Sequence, residues 1–302
     1  MRWSVLVVLA ACGSRADRPR RDDAAVPVEH HVLSAPAIML PKLDSFTLME
    51  RGRAPTSVLR YAIAGDAIAL VETKLSSRHA EGGAWSAWIE LAVRDGFAIK
   101  NGTLRPLVAE VIVPSPDAEA YLQRWKTVQD RPLTAAIDER GQLGAVVFAD
   151  DPGNVRSTVE RDDITQRLLG TLIPVPAEPV GVGAQWRVVT ILRQRPAVVK
   201  QTATYTLIAH TDTRWTIAVD VQRIGEQQIV DEPELPKGTA VDLLALVRHY
   251  AGSVEIDPRR SFPVAGTLAF EAHMHLRIGH LPGPTYTEQL FEDKGTLQLT
   301  AR

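Results

Sequence analysis

The sequence predicts an α+β or mainly-β body, a large curved antiparallel sheet in the manner of an open half-barrel, with two amphipathic helices packed on it. Three observations predict it: repeated alternation of apolar and polar residues, two helical stripes that each follow a start signal, and a turn built from prolines and paired glycines. Alternation with period two sends successive side chains to opposite faces of a strand, so one face is buried and the other is wet.

The first strands are expected at Leu59 to Ile63, Ile68 to Thr73, Ala87 to Val93 and Leu104 to Val113, with the folded body beginning near Phe46. Ser115-Pro116 then reads as a helix start, because proline at the first helical position gives up an N–H that has no partner there anyway. Ala118, Tyr121, Leu122, Trp125 and Val128 follow on one stripe. Strands are expected again at Leu133 to Asp138 and Ala145 to Phe148. Ser157-Thr158-Val159-Glu160 has the pattern of a capping box, and Ile164, Leu168, Leu169 and Leu172 continue the apolar face of a second helix.

Pro174-Val175-Pro176-Ala177-Glu178-Pro179-Val180-Gly181-Val182-Gly183-Ala184-Gln185-Trp186 ends that helix. Its glycines allow positive φ or a close backbone approach. A phosphate-binding glycine loop follows a strand and leads into a helix, the reverse of the order here, so a structural turn is the reading. The remaining strands are expected at Trp186 to Leu192, Thr202 to Ala209, Trp215 to Gln222, His249 to Ile256, Leu268 to Ile278 and Thr287 to Leu299. The clearest has Leu268, Phe270, Ala272, Met274, Leu276 and Ile278 on one face and Glu271, His273, His275 and Arg277 on the other.

Composition is that of an ordinary globular protein, 45% apolar and 23% charged, with a net charge of −2. That near-balance argues against a nucleic-acid partner or a polybasic membrane footprint. The catalytic motifs G-x-S-x-G, H-E-x-x-H, S-x-x-K and the P-loop are absent. Glu271, His273 and His275 share one strand face and are the candidates for a metal set, yet neighbours on that face stand about 7 Å apart, and a solvated polar face is the preferred reading. No cofactor is expected. Asp150-Asp151, Asp162-Asp163 and Asp231-Glu232 read as solvated pairs, and Trp85, Trp88, Trp125, Trp186 and Trp215 as core more than as a ligand groove.

The first dozen residues, MRWSVLVVLAAC, place one charge at Arg2 before an apolar run from Trp3 to Leu9. This is the plan of a signal peptide, and the run is too short to span a bilayer as a helix, which takes roughly 20 residues. Leu9-Ala10-Ala11-Cys12 resembles the lipobox of bacterial lipoproteins, and Cys12 is the only cysteine in 302 residues. The resemblance implies a signal over 1–11, diacylation of the Cys12 thiol, palmitate-type chains as membrane partner, and an address in the cell envelope. By similarity to the sorting rule in which aspartate after the cysteine retains a lipoprotein at the inner membrane, Gly13 favours the outer membrane, with a periplasmic or surface-facing body. Residues 12–43, rich in proline and mixed charge, are expected to be a flexible tether, with His30-His31 inside it. About 30 such residues span roughly 30 Å as coil. Residues 44–302 form the expected single body, which has no thiol left for a disulfide.

The stretch from Pro174 to Trp186, together with Leu59-Arg60-Tyr61 and Gly65-Asp66, resembles β-rich envelope lipoprotein families of no agreed activity. A half-barrel with helices on its concave face is similar to envelope carriers of lipids and lipoproteins. Those resemblances imply a fold and no mechanism. The leading expectation is a non-catalytic envelope lipoprotein, structural or binding a lipid or other apolar ligand. A metal-dependent or otherwise unfamiliar envelope hydrolase, and an interaction module of an envelope complex, stay open. The sequence leaves the oligomeric state undetermined.

Overall fold

The computed structural model describes residues 41–61, 67–100, 103–107, 109–113, 119, 123, 125–126, 128–129, 131–149, 155–194, 197–230, 239–260, 262–280 and 286–301. Fifteen strands are β1 (Lys42–Glu50), β2 (Ala67–Glu81), β3 (Ala84–Trp85), β4 (Ile89–Lys100), β5 (Thr103–Pro106), β6 (Glu110–Val113), β7 (Leu133–Ile137), β8 (Leu143–Phe148), β9 (Gln185–Gln194), β10 (Ala197–Thr211), β11 (Arg214–Gly225), β12 (Gln228–Ile229), β13 (Thr239–Ile256), β14 (Ala265–His280) and β15 (Tyr286–Ala301). Among the described residues one continuous helix, α1 (Val155–Thr171), lies between β8 and β9.

The protein is mainly β, and its strands form one antiparallel sheet that does not close. Its order is β1-β9-β10-β11-β13-β14-β15-β2-β4-β5-β7-β8. Two meanders make it up. β9 to β15 are mostly long strands, each paired with its sequence neighbour, and β2 to β8 form a second set with shorter strands at its far edge. β15 joins them by pairing with β2, placing Leu299 opposite Val71. β1 is carried to the opposite edge, where Phe46 lies opposite Val188 of β9. The sheet therefore takes in Lys42 and Leu43, which were expected to belong to the tether.

Alternation explains the strands well. In β14, Leu268, Phe270, Ala272, Leu276 and Ile278 are buried while Glu271 and His273 are exposed. Each large apolar side chain so buried contributes about 1.5–3 kcal/mol. Val93 of β4 and Trp186 of β9 belong to the same apolar cluster, although they are seven strand spacings apart in the sheet order, about 34 Å on a flat sheet. The sheet must therefore curl around its core. α1 agrees with this, since it packs on both β8 and β9, near opposite ends of the sheet.

Three expectations are corrected. Leu59 to Ile63 does not begin as a strand. Leu59 and Tyr61 are buried, but Tyr61 donates its backbone N–H to Glu139 and its hydroxyl to the Ile173 carbonyl, 2.8 Å each, so this segment is a strap across the core and joins no ladder there. Leu104 to Val113 is two strands, because its register against β4 slips by one residue between the Pro106–Phe97 and Glu110–Arg94 pairs. Of the two expected helices, only α1 is continuous among the described residues. It opens at Val155, before the expected cap at Ser157. In the other segment, Glu119, Gln123 and Trp125 are helical, the N–H groups of Val128 and Gln129 both turn back to the Trp125 carbonyl, and the remainder lies outside the described residues.

Candidate functional site

Inward positions of strands that wrap a core are ordinarily apolar, and one row breaks the pattern. Thr190, Gln201, Arg223, Arg248, Ala272, Asp293 and Ser77 lie opposite one another, strand by strand, from β9 across β10, β11, β13, β14 and β15 to β2. They share the phase of the buried residues on each strand. Arg223 continues Trp215, Ile217, Val219 and Val221, and Arg248 lies between Leu246 and Tyr250. Arg223 is 5% exposed and Arg248 4%.

The row divides the interior in two. On one side lie Trp186, Tyr205, Ile217, Val254 and Leu268, beneath the strap that carries Leu59 and Tyr61. On the other lie Leu192, Val199, Leu243, Leu246, Leu276 and Phe291, with Met274 packed against them. A third cluster fills the space between α1 and the β4–β8 end, through Phe97, Leu133, Phe148, Ile164 and Leu168.

A burial of charge on this scale is costly unless hydrogen bonds offset it. Arg223 Nε donates to Gln201 Oε1 at 2.8 Å, and Arg248 Nη2 donates to Asp293 Oδ2 at 3.2 Å. Asp293 Oδ1 also accepts from Ser77 Oγ at 2.7 Å. Tyr250 stands between the two arginines: Arg248 Nη1 is 3.4 Å from its hydroxyl, and the Arg223 guanidinium lies 5.2 Å from the centre of its ring. From the helix side, Arg167 donates to the fully buried Asp95 and, at 3.4 Å, to Thr73 Oγ1. Gln166 Nε2 anchors that turn of α1 on the Arg193 carbonyl at 2.7 Å.

The electrostatics follow from this packing. Burial pulls the Arg223 guanidinium below its ordinary value, with the Arg248 charge adding to the effect. Burial alone would push the Tyr250 hydroxyl up, but Arg248, Arg223 and Arg167 together bring it below the usual tyrosine range. The row holds no thiol and no imidazole, and its carboxylate is clamped by Arg248 and Ser77. It is equipped to recognise an anion, because guanidinium groups stay charged and present a fixed fork of donors.

The motifs read from the sequence lie at the strapped end. Gly181 approaches the strap so closely that a Cβ would stand 1.8 Å from the Arg53 carbonyl oxygen, and Gly183 has φ near +89°. Both expected reasons for glycine are thus realised, one at each position. Trp186 stacks on Tyr205 with ring centres 5.6 Å apart and donates Nε1–H to the Pro174 carbonyl at 2.8 Å, next to the Ile173 carbonyl held by Tyr61. The two quoted motifs therefore meet as one latch.

Glu271, His273 and His275 fall on the outer face. His275 Nε2 lies 3.1 Å from Glu288, His273 Nδ1 lies 3.8 Å from Glu292, and Glu271 stands opposite Lys294. Each is directed to a different cross-strand neighbour, and among the described residues no group of three His, Cys, Asp or Glu is placed to hold a metal. Trp125, Trp186 and Trp215 are core, but Trp85 and Trp88 are about two-fifths exposed, at 41% and 38%. These two lie over Arg78 at 4.4 and 4.5 Å, where a cation stacked on each ring substitutes for a buried site.

Cys12, His30-His31, Gly65-Asp66, Asp150-Asp151 and Asp231-Glu232 lie outside the described residues. Asp162 of α1 pairs with Arg193 at 3.5 Å. The polar row was missed by the sequence reading, although a signal was present: charged residues at the apolar phase of Trp215 to Arg223 and of Leu246 to Tyr250. No family model matches the chain, and no curated protein matches it.

Proposed function

We propose that this is an acyl-anchored envelope lipoprotein whose half-barrel body binds an amphiphilic ligand inside the sheet and performs no catalysis. One observation carries the binding reading: the interior offers a polar row bordered by apolar walls, which is the division of labour a molecule with a headgroup and a hydrocarbon chain requires. The α1 helix packs on both β9 and β8, near the two ends of the sheet.

The address rests on the sequence: Arg2, the apolar run to Leu9, and Leu9-Ala10-Ala11-Cys12. Two acyl chains on Cys12 give stable anchoring where one is marginal, and the residues ahead of β1 give the reach to hold the body clear of the headgroups. The outer membrane is the favoured site, on the strength of Gly13. Among the described residues no helix is long and apolar enough to cross a membrane.

Mass spectrometry of lipids that copurify with the full chain tests the binding reading. A stoichiometric acyl species is the expected result, and a protein that remains empty even after incubation with excess amphiphile would overturn it. Labelling with a clickable palmitate analogue tests the address. Label is expected on the parent and lost in Cys12→Ala; label retained in that variant would refute lipidation at Cys12.

A further inference from the structure

The outer face of the sheet carries an aromatic cluster that packing leaves in water. Trp85 of β3 stands directly across from Ala80 of β2, which in turn faces Leu290 of β15. Trp88 lies in the chain between β3 and β4. Trp85, Trp88, Leu290 and Tyr286 are 41%, 38%, 41% and 50% exposed. Cations hold the rings in place. The Arg78 guanidinium lies 4.4 Å from the centre of the Trp85 ring and 4.5 Å from that of Trp88. Lys294 Nζ lies 4.4 Å from the Trp88 ring centre, and the Arg277 guanidinium 5.1 Å from that of Tyr286.

The charges around these rings are balanced. Arg78 Nε donates to Glu292 at 2.7 Å, Arg277 Nη2 donates to Asp242 at 2.6 Å, and Lys294 stands opposite Glu271. The cluster therefore has no strong field of either sign to draw in a charged partner. Its surface is amphipathic instead, indole and phenol rings set among guanidinium and ammonium groups, which is the composition of proteins at the boundary between hydrocarbon and headgroups. Its place in the fold points to the same occupant. One cross-strand row leads from Lys42 of β1, where the N-terminal segment enters the sheet, through Ile191, Val247 and Glu292 to Arg78. Ile224 and Val247, neighbours on that row, are exposed as well. The chain that leads back to Cys12 and the aromatic cluster thus belong to the same end of the sheet. About 30 residues between Cys12 and β1 are long enough to let the body turn this surface onto the membrane.

We propose that Trp85, Trp88, Tyr286 and Leu290 form a docking surface that seats the body on the bilayer to which Cys12 is tethered. The rings lie at the hydrocarbon boundary, and Arg78 and Lys294 keep their charged ends among the headgroups. The inference rests on the acyl-anchored address proposed above and adds the contact that the body itself makes with the membrane. Each indole has roughly 80 Å² still to withdraw from water, which corresponds to more than about tenfold in partitioning. That is weak binding for a free protein. A tether multiplies it, because it holds the surface at high effective concentration beside the lipid.

The test uses the full chain with Cys12→Ala, which removes both the acyl chains and the only thiol, so that a single cysteine can be labelled elsewhere. An environment-sensitive fluorophore is placed through Ala87→Cys, between the two tryptophans, and in a second chain through Asp212→Cys, in the exposed β10–β11 turn at the strapped end. Vesicles of neutral phosphatidylcholine are the probe. The fluorophore at position 87 should shift to the blue and be quenched by nitroxide-bearing acyl chains, while that at position 212 should stay as in buffer. Trp85→Ala with Trp88→Ala should raise the lipid concentration for half response at position 87 by more than about tenfold. Trp88→Gln alone, at a position outside any strand, replaces the double variant if that fails to fold and should raise it several-fold. A silent position 87, an equal response at position 212, or a response unaltered in the folded variants would overturn the docking surface. So would a response that grows with protein concentration without vesicles, which would assign the surface to a second copy. The palmitate labelling above keeps the two readings apart. Label lost in Cys12→Ala with position 87 silent overturns the surface alone, and label retained with position 87 responding overturns the anchor alone.

Discussion

Replacing Gly181 by alanine should cost about 3 kcal/mol of folding free energy, and the figure follows from geometry. The added Cβ would lie 1.8 Å from the Arg53 carbonyl oxygen, 2.9 Å from its carbon and 3.0 Å from the Pro55 oxygen. All three are backbone atoms, so no side chain can swing away; the strap and the turn must separate by more than 1 Å to reach ordinary van der Waals contact, which begins at 3.4 Å. That movement breaks the bonds that join them. Arg53 N–H donates to Val182 at 2.8 Å, Gly181 N–H to Arg51 at 2.9 Å, and Val180 and Ser57 exchange bonds at 2.8 and 3.0 Å. Each such bond contributes roughly 1 kcal/mol net, and losing about three gives the estimate. Two other glycines calibrate it. Gly183 faces open space at φ +89°, so alanine there meets only backbone strain of about 1–2 kcal/mol. Gly170 sits in α1 with nothing near its missing Cβ, so alanine there should stabilise by up to about 1 kcal/mol. Urea unfolding followed by tryptophan fluorescence measures all three. If Gly181→Ala proved no more costly than Gly183→Ala, the close approach of strap and turn would be wrong.

Further outcomes follow from the same contacts. Trp186→Phe removes the bond to Pro174 and part of the stack on Tyr205, and should cost about 2 kcal/mol in the same assay. On β11, Ile217→Ala should cost roughly 3 kcal/mol because the side chain is fully buried, whereas Ile224→Ala, outward and 42% exposed, should stay within about 0.5 kcal/mol. Hydrogen bonds from Arg259 hold the Asp257 carboxyl at about 2. Its folded value is below the unfolded one, so its contribution is complete above about pH 4 and vanishes as the pH falls through about 2. Acid titration of Asp257→Asn should therefore show a shallower loss of stability in that window, and an unchanged slope would contradict the pairing. His273→Ala with His275→Ala should leave metal content at background and chelator should leave the melting temperature unmoved; a stoichiometric metal lost in the double variant would refute the outer-face reading.

How much of this was legible depended on whether the burial pattern was local. β14 could be read directly because one face is wet along its whole length. β13 could be read only from His249 onward, since a register shift between Leu243 and Ala245 changes the phase and sends both Leu243 and Leu246 inward. Leu59-Arg60-Tyr61 alternates like a strand, but a ladder needs a neighbour, and its partners are the isolated carbonyls of Glu139 and Ile173. The candidate site was less accessible for the same reason. Arg223 and Arg248 stand out singly as charges in an apolar phase, yet their juxtaposition, and the addition of Gln201 and Asp293, depends on the register of strands far apart in sequence. The Glu271, His273 and His275 face was correctly read as polar, because spacing along one strand is fixed by the backbone.

The pairing of β15 with β2 has a consequence for how the chain acquires its structure. Each meander can assemble from neighbouring hairpins, but the seam between them joins Val71 to Leu299, closing a loop of about 230 residues at an entropic cost on the order of 5 kcal/mol. Docking of the two halves is then the slow event in refolding. Until it occurs, β2 and β15 each present a long bare row of amide and carbonyl groups, the surfaces on which a half-folded chain would pair with another copy instead of with itself.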